Sequence, residues 1–273
     1  MANVKKDSSS NGGNIFSIIT IIGCLVIGFL VRQFIMGAGS NFEGGDNANQ
    51  PLQGNYLGMI YKGGYVVPIL MGLLIMVIVF SIERFVVIGK AAGKGKLDLF
   101  MKNIQASIHA GDIDGAIAQC DKQQGSVANA IKAALLKYQE VKKEGFDSET
   151  AAETIQNEIE EATSLEMPML EKNMTILSTL VSLGTLVGLL GTVLGMITAF
   201  GALATSGAPD QAALANGISE ALINTATGIA ISVFSIIAYN YFTSKIDTLT
   251  YSIDEAGSTI VTTYRRFRGS LRG

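Results

Sequence analysis

The sequence predicts an all-α integral membrane protein whose long transmembrane helices extend into a cytoplasmic helical domain. Three observations predict it. Hydrophobic residues make up 48% of the chain, tryptophan is absent, and the mean hydropathy is positive at +0.38, a balance that fits a membrane protein with a sizeable polar region. Apolar runs at 15–31 and 66–82 carry no charge, and each is close to the roughly 20 residues that cross a bilayer core. Two further runs, 174–204 and 218–242, are longer than a crossing needs. The charged remainder repeats its apolar residues every three to four positions, the spacing of one helix face.

Taken in order, residues 1–14 read as a cytoplasmic N-terminal tail and 15–36 as a first transmembrane helix. A second reading of 15–31 is a signal peptide, because Lys5 and Lys6 precede it. The residues that follow, Arg32, Gln33, Phe34, Ile35 and Met36, hold no small-x-small cleavage site, which favours a retained helix. Residues 37–62 are rich in Gly, Asn and Gln and read as a flexible periplasmic connection. A second transmembrane helix occupies 63–89, and a cytoplasmic helical domain spans 90–173.

Within that domain the pattern runs helically from Leu97 to Ala110, breaks at Gly111, resumes from Ile113 to Cys120, and repeats from Val127 to Val141. Asp147 and Ser148 mark a helix start. From there a single helix is expected to continue to Ala204, with only Pro168 to kink it. The third and fourth transmembrane helices are 174–204 and 217–243, joined by a short periplasmic turn, 205–216, that contains Pro209. A cytoplasmic C-terminal helix, 244–273, carries Ile246, Leu249, Ile253, Ala256, Ile260 and Tyr264 at spacings of three and four, so it should pair with the helix that begins at Ser148.

Basic residues set the orientation. The 20 Lys and Arg avoid 37–61 and 201–217 and concentrate in 90–172 and beyond Tyr241, which places both termini on the cytoplasmic side. Arg32 and Lys62, at the outer ends of their spans, run against this pattern. Cys24 and Cys120 offer no disulfide framework, and a net charge of −3 selects no partner. The Gly89–Lys96 segment, GKAAGKGK, lacks phosphate-loop spacing, and neither a metal-ligand cluster nor a nucleophile motif is present. The expectation is a protein that is not an enzyme, uses neither metal nor cofactor, does not bind nucleic acid, and draws work from an ion gradient.

The candidate site lies on the third and fourth spans. Ser178, Ser182, Thr185 and Thr192 share one arc of the third, with Gly184, Gly188, Gly191 and Gly195 on the neighbouring arc, while Thr225, Gly228, Ser232, Ser235 and Tyr239 share an arc of the fourth. Two readings fit. The hydroxyls can line a path for protons or small cations, since they donate and accept without a fixed buried charge. Alternatively, glycines and hydroxyls together are the means by which membrane helices pack and hydrogen-bond. His109 reads as a solvated residue, and Glu83 with Arg84 as an inner-interface pair in which Arg84 snorkels to lipid phosphate.

GLLGTVLGMITAF (Gly188 to Phe200), followed after a short loop by GISEALINTATGIAISVFSIIAYNYF (Gly217 to Phe242), resembles the ExbB/TolQ/MotA family of ion-channel motor subunits, and within it the ExbB branch most. SIERF (Ser81 to Phe85), IHAGDIDGAIAQC (Ile108 to Cys120) and SVANAIKAAL (Ser126 to Leu135) extend the resemblance from about residue 65 to the end. The paired motifs are specific in this order; each alone is weak. The resemblance implies a multi-pass protein of the bacterial inner membrane that forms a ring, typically a homopentamer, around the single helix of an ExbD-like partner whose membrane aspartate carries protons. It implies a TonB-like protein as the recipient of the motion, and it places pore threonines on Thr192 and Thr225 and an intramembrane glutamate on Glu220. Thr185 and Ser232 extend that path by their position on the polar arcs.

By pattern alone Glu220 is either an interfacial carboxylate or a gate residue paired with polar neighbours such as Asn224; its place in the motif favours the second. The family plan has three spans, so 15–36 is an extra helix, expected on the lipid-facing side of the ring because it is apolar all round. A TolQ-like envelope motor, a motility stator and a structural membrane scaffold are the competing readings.

Overall fold

The computed structural model describes residues 9–205 and 211–270, without the side chains of 9–14, 16, 202–205 and 268–270. The reading of residues 1–8 as a tail and of Pro209 as part of a turn lies outside the described residues. Described residues form nine α-helices: α1 (Ser9–Leu30), α2 (Tyr56–Tyr61), α3 (Val67–Ala91), α4 (Leu97–His109), α5 (Ile113–Gln123), α6 (Ser126–Glu144), α7 (Ser148–Glu171), α8 (Met174–Thr205) and α9 (Gln211–Ser270). A π-turn, Val31–Met36, extends α1, and the only strand-like feature among the described residues is an isolated bridge between Phe42 and Pro51. Four helical segments are long and apolar enough to cross a membrane: Ser17–Met36, Gly64–Ala91, Ser148–Gly201 and Gln211–Phe267. The chain is thus an all-α membrane protein. It divides into two compact units, Met1–Ile82 with Thr175–Tyr239, and Glu83–Met174 with Asn240–Gly273.

In the first unit α1 uses one face only. Gly28 lies so close to α3 that an added Cβ would stand 2.8 Å from the Gly72 Cα and from the Pro68 carbonyl, and Gly72 returns the contact against Leu25. Two glycines facing each other let backbones approach where lipid supplies no hydrophobic drive. Cys24 and Met36 are buried, while Ile15, Ile18, Ile19, Ile22 and Val26 are exposed.

Residues 37–62 are folded, not a flexible connection as their composition suggests. Asn41 is the reason: buried, it donates through Nδ2 to the carbonyls of Ile35 (2.8 Å) and Met36 (2.9 Å), and its Oδ1 accepts from Asn55 Nδ2 at 3.0 Å. Phe42 is buried edge-on against Tyr61, ring centres 5.4 Å apart. Lys62 Nζ donates to the Ala48 carbonyl at 3.0 Å. Asparagines that bond local backbone stabilise turns as well as they signal loops.

The second unit follows the sequence pattern closely. Asp147 caps α7 by accepting from the backbone N–H of Glu149 and Thr150, both at 3.1 Å. Hydrogen bonds from the Thr150 side chain and from these amides hold its carboxyl below the usual range. Gly111 (φ +78°), Gly125 (φ +87°) and Gly145 (φ +77°) supply the left-handed positions between helices. Ile246, Leu249, Ile253, Ala256, Ile260 and Tyr264 of α9 are all buried. The expected partner is α7: Gly257 admits Ile159, and Arg265 pairs with Glu149 at 3.0 Å. Tyr264 also meets Tyr138 of α6 edge-on, at 5.0 Å.

One expectation fails here. The helix from Ser148 does not run unbroken to Ala204: Pro168 is absorbed inside α7, and the break falls at Lys172 (ψ 138°) and Asn173 (φ +63°). Asparagine is among the few residues that enter the left-handed region at small cost, so no Gly or Pro was needed to interrupt the chain.

Arg84 corrects a second expectation. It does not snorkel; it is 1% exposed. Its Nε and Nη2 donate to Glu83 at 2.6 and 2.5 Å, and Nη1 donates to the carbonyls of Met169 (3.2 Å) and Leu170 (3.0 Å). The last carbonyls of a helix have no partner within it. Because α7 stops at Glu171, a guanidinium can terminate it, with charge of the favourable sign for that end of the dipole.

Cys120 is buried in α5, and burial, with the adjacent Asp121 charge, pushes its thiol up to about 12. Only the thiolate reacts. A maleimide is therefore expected to leave Cys120 unmodified in the folded protein near neutral pH, with about a thousandfold less thiolate than a free thiol has, and to label it promptly in denaturant. Rapid labelling of folded protein, read by peptide mass, would contradict the burial.

Candidate functional site

Helices α8 and α9 meet along a line of small residues in the first unit. A Cβ on Gly184 would stand 2.7 Å from Ser232 Oγ, one on Gly188 would stand 3.0 Å from the Gly228 Cα and the Asn224 carbonyl, and one on Gly195 would stand 2.9 Å from the Ala221 nitrogen. Gly191 faces the Asn224 side chain, and Gly228 lies against the Gly184 carbonyl and Gly188. All five sequence-predicted packing glycines therefore lie in the contact.

Hydroxyls line the edge of the same contact and divide into two groups. Ser232 is buried; it donates to the Val181 carbonyl at 2.6 Å or the Gly228 carbonyl at 3.1 Å, and it lies 2.9 Å from Thr185 Oγ1. Ser235 is also buried and returns its proton to the Ile231 carbonyl at 2.8 Å. These two act between and along helices as packing groups. Thr185 is exposed, and Thr192 and Thr225 are half-buried. The Thr192 and Thr225 hydroxyls hydrogen-bond to each other across the two helices, and Thr192 Oγ1 also reaches the carbonyls of Gly188 (3.2 Å) and Ala221 (3.3 Å). The pair is joined within one chain and stays partly exposed.

The sole charged residue of α8, or of α9 as far as Tyr239, is Glu220. Its carboxylate rests directly on Gly64, where an added Cβ would overlap Oε1. Gly64 also has φ +76°, so glycine is required there twice over. Asn224, one turn on, does not pair with Glu220. It is fully buried and donates through Nδ2 to the Gly63 carbonyl at 2.8 Å, leaving its Oδ1 without a hydrogen-bond partner.

The Lys62-Gly63-Gly64 tract was the missed half of this site. A Gly-Gly pair at a span boundary is a turn signal, and two glycines there leave room for polar side chains of another helix. Glu83 and Arg84 belong to the other unit. Among the described residues no group of three or more His, Cys, Asp or Glu could hold a metal ion.

The arrangement can pass a proton between paired hydroxyls, and the one carboxylate of these spans among the described residues, Glu220, rests on Gly64. Comparison with known proteins agrees with that chemistry. The model of the MotA/TolQ/ExbB proton channel family matches residues 119–255. The chain is 33% identical over 111 residues to a putative biopolymer transport protein ExbB-like 3 of Synechocystis, covering 40% of this chain and 53% of that protein. It is 30% identical over 159 residues to the Tol-Pal system protein TolQ of Pseudomonas aeruginosa, covering 58% and 69%. With the biopolymer transport protein ExbB of Helicobacter pylori it shares 44% identity over 80 residues, covering 29% and 55%. It thus spans about half the length of these two ExbB relatives and just over two thirds of TolQ. On the family match, the motif order and the small-residue seam that carries the threonine pair, this chain belongs to the MotA/TolQ/ExbB proton channel family.

Proposed function

We propose that the chain is the pore-lining subunit of an ExbB-like motor in the bacterial inner membrane, driven by the proton-motive force. Copies of it form a ring, a pentamer by family likeness, with both termini cytoplasmic and residues 37–62 and 205–216 periplasmic. Inside the ring stands an ExbD-like single-span partner whose aspartate exchanges protons next to Thr192 and Thr225, and a TonB-like protein receives the motion. The observation that supports this reading is the threonine pair: two half-buried hydroxyls that hydrogen-bond to each other across α8 and α9, on spans whose one described carboxylate, Glu220, is seated on Gly64. Glu220 acts as the gate residue towards the periplasmic end. A proton that falls through about 100 mV releases roughly 2.3 kcal/mol from the electrical term, so each step must be tightly coupled to movement.

The likeness to TolQ, which covers more of the chain than either ExbB match cited above, supports a second assignment as a TolQ-like envelope motor. Mass determination of the complex purified from native membranes separates the two by the identity of the partner. The competing structural scaffold is tested by substitution. Thr192→Val and Thr225→Val are expected to leave the assembled complex intact while proton flux into reconstituted vesicles falls about a hundredfold, the low end for loss of a positioned proton-transfer group. Disassembly of the complex at unchanged flux per ring would make the threonines helix glue instead.

A further inference from the structure

Where α3 ends, its last turns and residues 241–249 of α9 enclose a cleft of about 420 Å³ within the second unit. That volume falls among the clefts of roughly 300–1,000 Å³ that hold small molecules. Ile88, Phe242 and Leu249 line it and are buried, whereas Phe85 lines it and is 64% exposed. Lys96 and Lys245 also line it, and both are exposed. The cleft therefore has an apolar floor and a basic solvent side.

Its depth in the bilayer follows from the charge pattern. Ala221 to Ser244 of α9 carries no charge, and Lys245 is the first charged residue after that run. Tyr241 lies one turn earlier, exposed, with Lys245 Nζ 5.8 Å from the centre of its ring. Tyrosines of this kind sit at the level of the lipid headgroups. On the other wall α3 has Lys90 in its last turn, and Lys94 and Lys96 follow in the Gly89–Lys96 segment. Among the described residues no ion pair engages any of these four lysines. Asp98 is the one acid that lines the cleft, and it too is outside every ion pair among the described residues. Positive charge is in excess. Lysine is depleted from the cores of protein–protein interfaces, which argues against a second copy of the chain as the occupant, while lysines beside a span attract anionic headgroups.

We propose that the cleft binds one anionic phospholipid of the adjacent leaflet, with an acyl chain on Phe85, Ile88, Phe242 and Leu249 and the phosphate on Lys96 and Lys245. The Gly89–Lys96 segment, which lacks phosphate-loop spacing, thereby has a phosphate to hold. The site requires only that α3 and α9 cross the bilayer, and it is independent of the proton-channel reading.

The test uses the whole complex purified from native membranes and stripped of lipid by detergent exchange. It is titrated with phosphatidylglycerol, phosphatidylcholine or inorganic phosphate, while native mass spectrometry counts bound lipid and subunits and melting is recorded in parallel. The parent is expected to take up a single phosphatidylglycerol per subunit at concentrations that leave phosphatidylcholine unbound. Lys96→Gln with Lys245→Gln should weaken that binding about thirtyfold, the strength of two lysines beside a membrane span. The same charge change at Lys142 and Lys143 should leave it within about twofold, because Lys142 stacks on Phe267, ~33 Å along α9 from Lys245 at the helical rise. Gly89→Leu adds a side chain to the cleft wall at a position where a Cβ meets nothing within 4 Å. It should abolish lipid uptake without lowering the melting temperature or changing the subunit count.

A parent that takes up no phosphatidylglycerol, equal binding of the two lipids, equal losses from both lysine pairs, or parent-like uptake by Gly89→Leu overturns the proposal. Inorganic phosphate that raises the melting temperature as far as the lipid does also overturns it, in favour of a soluble anion. A changed subunit count in Gly89→Leu overturns it in favour of an interface between copies.

Discussion

Arg84→Ala is expected to destabilise the second unit by about 3–5 kcal/mol, the cost of leaving one partner of a buried pair and its hydrogen-bonded groups alone. The reasoning is geometric. Arg84 is 1% exposed, and its guanidinium serves the Glu83 carboxylate and the last carbonyls of α7 at Met169 and Leu170 together. Alanine strands two carbonyls, leaves a half-exposed carboxylate unpaired and opens a cavity. Arg84→Lys keeps the charge but not the planar fork, so it should recover less than half of the loss. Removing the charge from both partners, Glu83→Gln with Arg84→Met, should cost less than Arg84→Ala alone. Melting of the purified protein ranks the three, and hydrogen exchange localises the damage to the last turn of α7. Equal melting of the Ala variant and the parent would mean that the guanidinium is not needed to end α7.

Gly188→Leu should be as damaging in the first unit. A Cβ there stands 3.0 Å from both the Gly228 Cα and the Asn224 carbonyl, which is backbone that cannot rotate aside. The remaining Leu atoms then force α8 and α9 apart, at about 3 kcal/mol or more, and separate the hydroxyls of Thr192 and Thr225. Stability and proton flux should fall together, unlike the threonine substitutions, which should spare assembly. Gly201→Ala is the control, since a Cβ at Gly201 meets nothing within 4 Å and a helical alanine is preferred to glycine by about 1 kcal/mol. Melting that is insensitive to Gly188→Leu would show that the seam is not tight.

Legibility in the sequence followed the range of the interactions. Periodicity reports which side of a helix is apolar, so the buried row from Ile246 to Tyr264, the helices α4 to α6 and the start of α7 could be read directly. Spacing also found both threonines and the glycine seam, because helices that meet closely must offer small residues to each other. Arg84 could not be placed, since its depth depends on α7 ending at Glu171, and that end depends on a single left-handed asparagine. The fold of residues 37–62 was hidden for a related reason: Asn41 looks like a loop residue until its two carbonyl partners are known. Arg32 read as a blemish in the charge pattern because its stacking partner, Tyr61, is 29 positions away in the chain.

The asparagine-clamped segment has a practical consequence for topology mapping. Between Gln33 and Tyr61 it contains no lysine or arginine, and Lys62 at its end is engaged with the Ala48 carbonyl. Trypsin added to intact cells or spheroplasts would leave this stretch uncut even if it faced the enzyme, and the silence would be misread as shelter behind the bilayer. A chymotryptic digest that reports on Tyr56, whose side chain is exposed, gives the sidedness answer that trypsin withholds.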